Sequence, residues 1–198
     1  PFFNAPAPTE IYTMVSSSAA SDVYKRQHEQ RAQRLGRWLA TCQVHLLTGG
    51  GGGVMASVSQ AFAEVAGRAG LVIGIIPAAS PESERPKAGY PNPWVEIPIY
   101  THLALSGDQG LSPLSRNPIN VLSSRVIVAL PGGQGTRAEV LLAQKYRRPL
   151  IAWLRHSGEI PDLPPSVAFE SRFEAIQKFV SDPLGQSVNE ARKHTFFA

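Results

Sequence analysis

Cysteine is almost missing from this 198-residue chain, with Cys42 the single example. That excludes a disulfide framework and a zinc site of cysteine pairs within one chain, and it favours a reducing compartment. No apolar run approaches the roughly 20 residues needed to span a bilayer. The first residues also lack a basic segment followed by an apolar signal core. The sequence therefore reads as a soluble, unexported, cytoplasmic protein with no membrane partner. Excess charge is scarce too. The formal balance is +4, and Lys25, Arg26, Arg31, Arg34 and Arg37 supply much of it without interleaved aromatic residues. A solvated helix face accounts for them better than a nucleic-acid surface, so no duplex nucleic acid is implied. No serine sits in a Gly-x-Ser-x-Gly elbow, and no metal-ligating set is recognisable.

What is present is a chain long enough for one good-sized core. Residues 1–27 read as a tail, because Pro1 to Ser21 is rich in Ala, Ser and Pro and shows no sustained apolar period. Within it, Ser17 to Gln27 resembles the in-frame translation of a sequencing-library transposon adapter. From 28 to 198 the pattern is that of one nucleotide-binding, Rossmann-like domain. Leu35, Trp38, Leu39 and Cys42 share a helix face. Val44 to Leu47 reads as a strand, and Val54, Val58, Phe62 and Val65 recur at helical spacing. Leu71 to Ile76 and Val126 to Leu130 are nearly all apolar, as expected of strands covered on both faces. Pro77 to Pro93 reads as a long surface loop of the kind that serves a site. Val95 to Tyr100 is a short strand candidate, Pro113 to Leu122 a helix despite Pro118, Thr136 to Tyr146 a helix, and Leu150 to Leu154 a strand. Phe169, Phe173, Ile176 and Val180 form the apolar face of a last helix. Alternating strands and helices predict an α/β fold, a three-layer αβα sandwich around a mostly parallel sheet.

Two glycine-rich turns follow strands, where helix starts leave backbone N–H groups unpaired and ligands bind in such sheets. After Leu130, Gly132, Gly133 and Gly135 remove side chains that would block a phosphate, and a helix start near Thr136 offers its N–H groups and positive dipole end. The Thr136 hydroxyl can donate to the same anion. Thr136 and Glu139 equally fit a capping box, which closes a helix start without any ligand. Capping alone needs at most one glycine, so three favour a ligand. Gly49 to Gly53 lies between a strand and an amphipathic helix but lacks the Lys-Ser/Thr pair of a P-loop. Two anion-accepting turns on one face of the sheet suit a mononucleotide.

With both turns placed, the chain resembles the Lonely Guy (LOG) family, whose signature is Pro-Gly-Gly-x-Gly-Thr-x-x-Glu. Here the signature stands complete from Pro131 to Glu139. The likeness extends through Leu47 to Met55, through Leu71 to Pro77, and to Arg116, which meets the spacing of the family's active-site arginine. Arg116 is followed by Asn117 where the hydrolases usually carry lysine, and Thr101 to Asp108 is similar to a branch that includes molybdenum-cofactor-carrier-like proteins. The strand and small-residue turn that the family places before its first helix are not recognisable. The resemblance implies hydrolysis of the N-glycosidic bond of a nucleoside 5′-monophosphate, giving free base and ribose 5-phosphate, with no cofactor and no metal. It also implies a homodimer.

In that chemistry positive charge grows on the ribose, and a carboxylate near the anomeric carbon stabilises it and orients water. Glu139 fits by position. Arg116 can bind phosphate or sugar oxygens, or orient Glu139, through its planar fork, although a surface salt bridge is the ordinary role of such an arginine. Gly50, Gly51, Gly52, Met55, Asn117, Gly132, Gly133, Gly135 and Thr136 complete the expected nucleotide- and phosphate-binding set. His102 and Asp108 are weaker candidates, better read as solvated loop residues. The rival readings are a non-catalytic carrier or sensor of a phosphorylated purine or pterin, and a protein-interaction domain with a vestigial pocket.

Overall fold

A computed structural model of the protein describes residues 11–15 and 22–182. Among the described residues seven strands form one sheet, β1 (Ile11–Val15), β2 (His45–Thr48), β3 (Val72–Ile76), β4 (Ile97–Tyr100), β5 (Val126–Ala129), β6 (Leu150–Trp153) and β7 (Phe169–Glu170). Their order is β4-β3-β2-β1-β5-β6-β7, and every neighbouring pair runs parallel. Helices α1 (Asp22–Thr41), α2 (Val54–Ala63), α3 (Asn117–Ser123) and α4 (Gln134–Lys145) connect them, and α5 covers 173–182.

Alternation along the strands sorts side chains to two faces. Val126 and Val128 join Leu35 and Leu39 of α1, Val58 and Phe62 of α2, and Ile176 and Val180 of α5 in one cluster. Ile127 and Ala129 point the other way, to Val121 of α3 and Val140 and Leu142 of α4. The expected αβα sandwich is therefore present. Both faces of β3 and β5 are buried along their whole length, which is why those strands read as unbroken apolar runs. Helices α1 and α2 approach closely at Gly36, where a Cβ would strike the Val58 carbonyl and lie 3.1 Å from the Phe62 backbone nitrogen.

Four differences from the sequence reading have physical causes. A strand does precede α1: Ile11–Val15 pairs with β2 on one side and β5 on the other, concealed by the small-residue and proline-rich stretches around it. Phe169 belongs to β7, held opposite Ala152, and not to the last helix. Helix α3 starts at Asn117 and so accommodates Pro118 in its first turn, where no N–H is needed. Arg31 is not part of a solvated face like Arg34 and Arg37; its guanidinium reaches Glu159 at 3.0 Å and the Trp153 carbonyl at 3.2 Å. Among the described residues, no helix is long and apolar enough to cross a membrane.

Candidate functional site

Strands β2 to β4 extend the sheet to one side of β1, and β5 to β7 extend it to the other. The crevice at the carboxyl ends of β1, β2 and β5 is thus the switch point at which parallel sheets of this kind bind ligands. Both glycine turns lead from it.

Gly49 to Gly53 links β2 to α2. Gly50 and Gly53 have φ of +74° and +61°, a region that L side chains rarely adopt. The Gly50 N–H is tied to Thr48 Oγ1 at 3.1 Å. At Gly49 a Cβ would collide with the Arg116 guanidinium, coming 2.7 Å from its Cζ. At Gly51 it would come 2.7 Å from Met55 Cε and 2.9 Å from the Tyr90 hydroxyl. Around Gly52 there is open space. The turn is therefore shaped on one side by Arg116, Met55 and Tyr90 and is accessible at its tip.

The second turn opens α4 earlier than the sequence pattern predicts. The helix starts at Gln134 with Gly133 as its N-cap and no side-chain cap bond. Thr136 is fully buried inside the first turn, which removes the capping-box explanation for Thr136 and Glu139. Gly132 donates its N–H to the Glu159 carbonyl at 3.0 Å, so Gly132 can serve an anion only by lacking a side chain. Gly133, Gln134 and Gly135 form the helix start itself, whose leading N–H groups have no partner within the helix.

One turn further along α4, Glu139 is 7% exposed. Asn120 of α3, fully buried, donates from Nδ2 to Glu139 Oε1 at 2.9 Å. Burial pushes the Glu139 carboxyl up to about 7, against the opposing pull of the Arg116 guanidinium and the Asn120 hydrogen bond. Arg116 is 5% exposed and, as the N-cap of α3, reaches Asn117 Oδ1 from Nη1 at 3.3 Å. Its Nε and the Asn120 Oδ1 are buried without a hydrogen-bond partner. A buried donor and a buried acceptor left unpaired are costly in a finished core. They leave the polar interior around the Glu139 carboxyl incompletely paired.

The structure thus brings together Arg116, Asn117, Glu139, the Gly49 to Gly51 segment and Met55. His102 stays apart. His102 is exposed and lines a separate cleft with Glu82, Glu84 and Tyr100, while Asp108 is exposed on the 3-10 turn Gly107–Gln109. Among the described residues, no group of three or more His, Cys, Asp or Glu could hold a metal ion.

Sequence reasoning missed Asn120, Tyr90 and Asn92. Asn120 is anchored through its carbonyl, which accepts the Thr13 and Ser124 hydroxyls at 3.2 Å and 2.6 Å. Asn92, buried, ties the 77–93 loop to the first glycine turn: its N–H donates to the Gly50 carbonyl at 2.7 Å and its amide to the Gly51 carbonyl at 2.9 Å. For Tyr90 and Asn92 the sequence signal was that a long loop follows β3.

The profile of the SLOG cluster4 family matches residues 13–177. No curated protein matches the chain significantly. Among solved structures, a Moco carrier protein from Chlamydomonas reinhardtii is similar with a TM-score of 0.66 and 26% identity, over 91% of this chain and 99% of that one. A molybdenum cofactor binding protein from the phototrophic bacterium Rippkaea orientalis gives 0.63 and 28%, again over 91% and 99%. The structural-genomics target TM1055, at 0.66 and 21% over 88% and 99%, shares the fold.

Proposed function

The chain belongs to the SLOG cluster4 family, and from that premise we propose that it binds a nucleoside 5′-monophosphate and hydrolyses its N-glycosidic bond. The observation that carries this reading is the buried carboxyl of Glu139, held by Asn120 and faced by Arg116, one turn inside a glycine-led helix start. In this proposal the 5′-phosphate lies on the α4 start at Gly133, Gly135 and Thr136, with Gly132 leaving room for it. Gly50, Gly51, Gly52 and Met55 border the other side, and Arg116 and Asn117 engage sugar or phosphate oxygens. A helix start favours an anion through its N–H groups and dipole together.

The reaction places Glu139 beside the anomeric carbon. As the C1′–N bond breaks, its electron pair leaves with the base and positive charge develops on the ribose. The ionised carboxyl stabilises that charge and accepts a proton from the attacking water, whose oxygen bonds to C1′, and the departing base takes up a proton. Base and ribose 5-phosphate are the products. A carboxyl that titrates at about 7 lies near the optimum for a group that accepts and then returns a proton at neutral pH.

A second reading is favoured by the two solved structures named for molybdenum cofactor binding or carriage, at 26% and 28% identity. Under it the same pocket holds a phosphorylated pterin or purine as cargo and no bond breaks. Incubating the protein with nucleoside monophosphates and separating the products by chromatography distinguishes the two. The hydrolase reading expects free base, and a loss on the order of 10²- to 10⁴-fold in Glu139→Gln. Retained ligand, no base, and unchanged binding in Glu139→Gln would establish the carrier instead. A cytoplasmic homodimer belongs to the same proposal through the family resemblance, and sedimentation of the purified chain tests the dimer.

A further inference from the structure

We infer that Tyr90 is the platform on which the planar ring system of the ligand stacks, and so the residue that selects a heterocyclic base over a bare sugar phosphate. The inference rests on the nucleotide-binding reading above and goes past it, because the expected ligand contacts include no aromatic ring for the base.

The aromatic ring is brought to the site by the chain and not by chance of packing. Tyr90 lies in the 77–93 loop, which Asn92 pins to the carbonyls of Gly50 and Gly51. Its own N–H donates to the Lys87 carbonyl at 3.1 Å. Two residues of the loop are thus fixed on either side of the ring. The ring centroid stands 5.9 Å from Arg116 Cζ, and the hydroxyl edge lies so close to Gly51 that a Cβ there would sit 2.9 Å from the hydroxyl oxygen and 3.0 Å from Cε1. Glycine at 51 is what permits the ring to lie there.

Tyr90 nevertheless stays partly exposed, so the residue retains surface for a partner. The groups deeper in the crevice are polar: Arg116, Asn117, Asn120 and Glu139 suit a sugar and a phosphate, not the apolar face of a base. Tyr90 and Met55 flank the same glycine and supply that apolar surface. A ring of electrons over a guanidinium, with a thioether nearby, is well suited to a flat, polarisable heterocycle. Purine and pterin share that chemistry.

The test is calorimetric titration of the full chain with adenosine monophosphate, a 6-substituted pterin phosphate and ribose 5-phosphate, in wild type, Tyr90→Phe and Tyr90→Ala. Stacking on one aromatic residue predicts that Tyr90→Ala weakens the heterocyclic ligand on the order of 10- to 100-fold. Ribose 5-phosphate binding should stay within about twofold, and Tyr90→Phe, which keeps the ring, should resemble wild type for every ligand. Whichever of the two heterocycles shows the loss identifies the source of the ring. Equal weakening of ribose 5-phosphate and heterocycle in Tyr90→Ala, or no weakening of either, overturns the platform while leaving nucleotide binding intact. Failure of wild type to bind any of the three ligands overturns the nucleotide-binding reading and the platform with it.

Discussion

Glu139 has two favourable partners, Arg116 and Asn120, yet burial outweighs them and its carboxyl titrates at about 7, well above its ordinary 4.5. Between those values the folded chain keeps a proton that the unfolded chain releases. The neutral carboxyl's contribution to stability is therefore full below 4.5 and is lost as pH rises through about 7. The shift corresponds to roughly 3 kcal/mol between the protonated and ionised forms. Glu139→Gln, which cannot ionise, should melt near wild type at pH 4.5 and above it at pH 8, by differential scanning calorimetry. A gap between the two proteins that stays constant across this range would show that the carboxyl titrates elsewhere. Asn120→Ala should act in the opposite sense on the titration itself, since removing a donor to the ionised oxygen raises the carboxyl further. Carbon NMR of labelled glutamate, or the alkaline movement of the pH–rate midpoint, reads that shift apart from the cost of about 1–3 kcal/mol of lost stability expected for a buried polar deletion. Glu139 and Arg116 were legible in the sequence because a dense local motif and a fixed spacing carry them. Asn120 was not, because nothing links it to Glu139 until the sheet sets α3 against α4.

Among the elements, periodicity located α1, α2 and the buried strands β3 and β5, whose apolar patterns arise from one covered helix face or two covered sheet faces. It failed where tertiary pairing decides the outcome, as at Phe169, whose place in a two-residue strand depends on β6. It also misplaced the start of α4, because Gly133 and Gly135 on either side of Gln134 are poor helix formers and read as turn. The close approaches at glycines separate site from scaffold. Gly49→Ala meets the end of a long side chain, the Arg116 guanidinium, which can move aside. It should cost little stability and lower ligand affinity or turnover by displacing that arginine. Gly36→Ala meets the Val58 carbonyl, part of the backbone of α2, which cannot swing away. A cost of about 1–3 kcal/mol is expected from forcing the helices apart, with ligand affinity per folded molecule unchanged. Thermal melts and titrations of both variants check the pair, and equal loss of affinity in both would deny the distinction.

For the molecule as a whole, a ligand seated on the two turns should raise the melting temperature. At a concentration of 100 times Kd the gain is about 2.7 kcal/mol, or roughly 5–10 °C for a chain of this size; a protein-interaction domain with a vestigial pocket would show none with nucleoside monophosphates. Ser17 to Gln27 is similar to adapter-derived translation, and amplification of the locus without adapters should return other codons; recovery of the same ones would end that suspicion. Yet Ile11–Val15, ahead of that segment, lies at the centre of the sheet and pairs Tyr12 with Leu46 on β2 and Val126 on β5. Tyr12 and Thr13 are fully buried, and the Thr13 hydroxyl joins the Ser124 hydroxyl and the Asn120 carbonyl beneath the site. Removing residues 1–27 would therefore leave β2 and β5 with facing edges and no strand between them, and would free the support under Asn120 and so under Glu139. Unpaired buried strand edges each forfeit a ladder of backbone hydrogen bonds. The truncated chain is expected to lose its cooperative thermal transition, and with it nucleotide binding, by circular dichroism and calorimetry. A truncation that melts as sharply and as high as the full chain would mean that β1 is dispensable and that the domain begins after it.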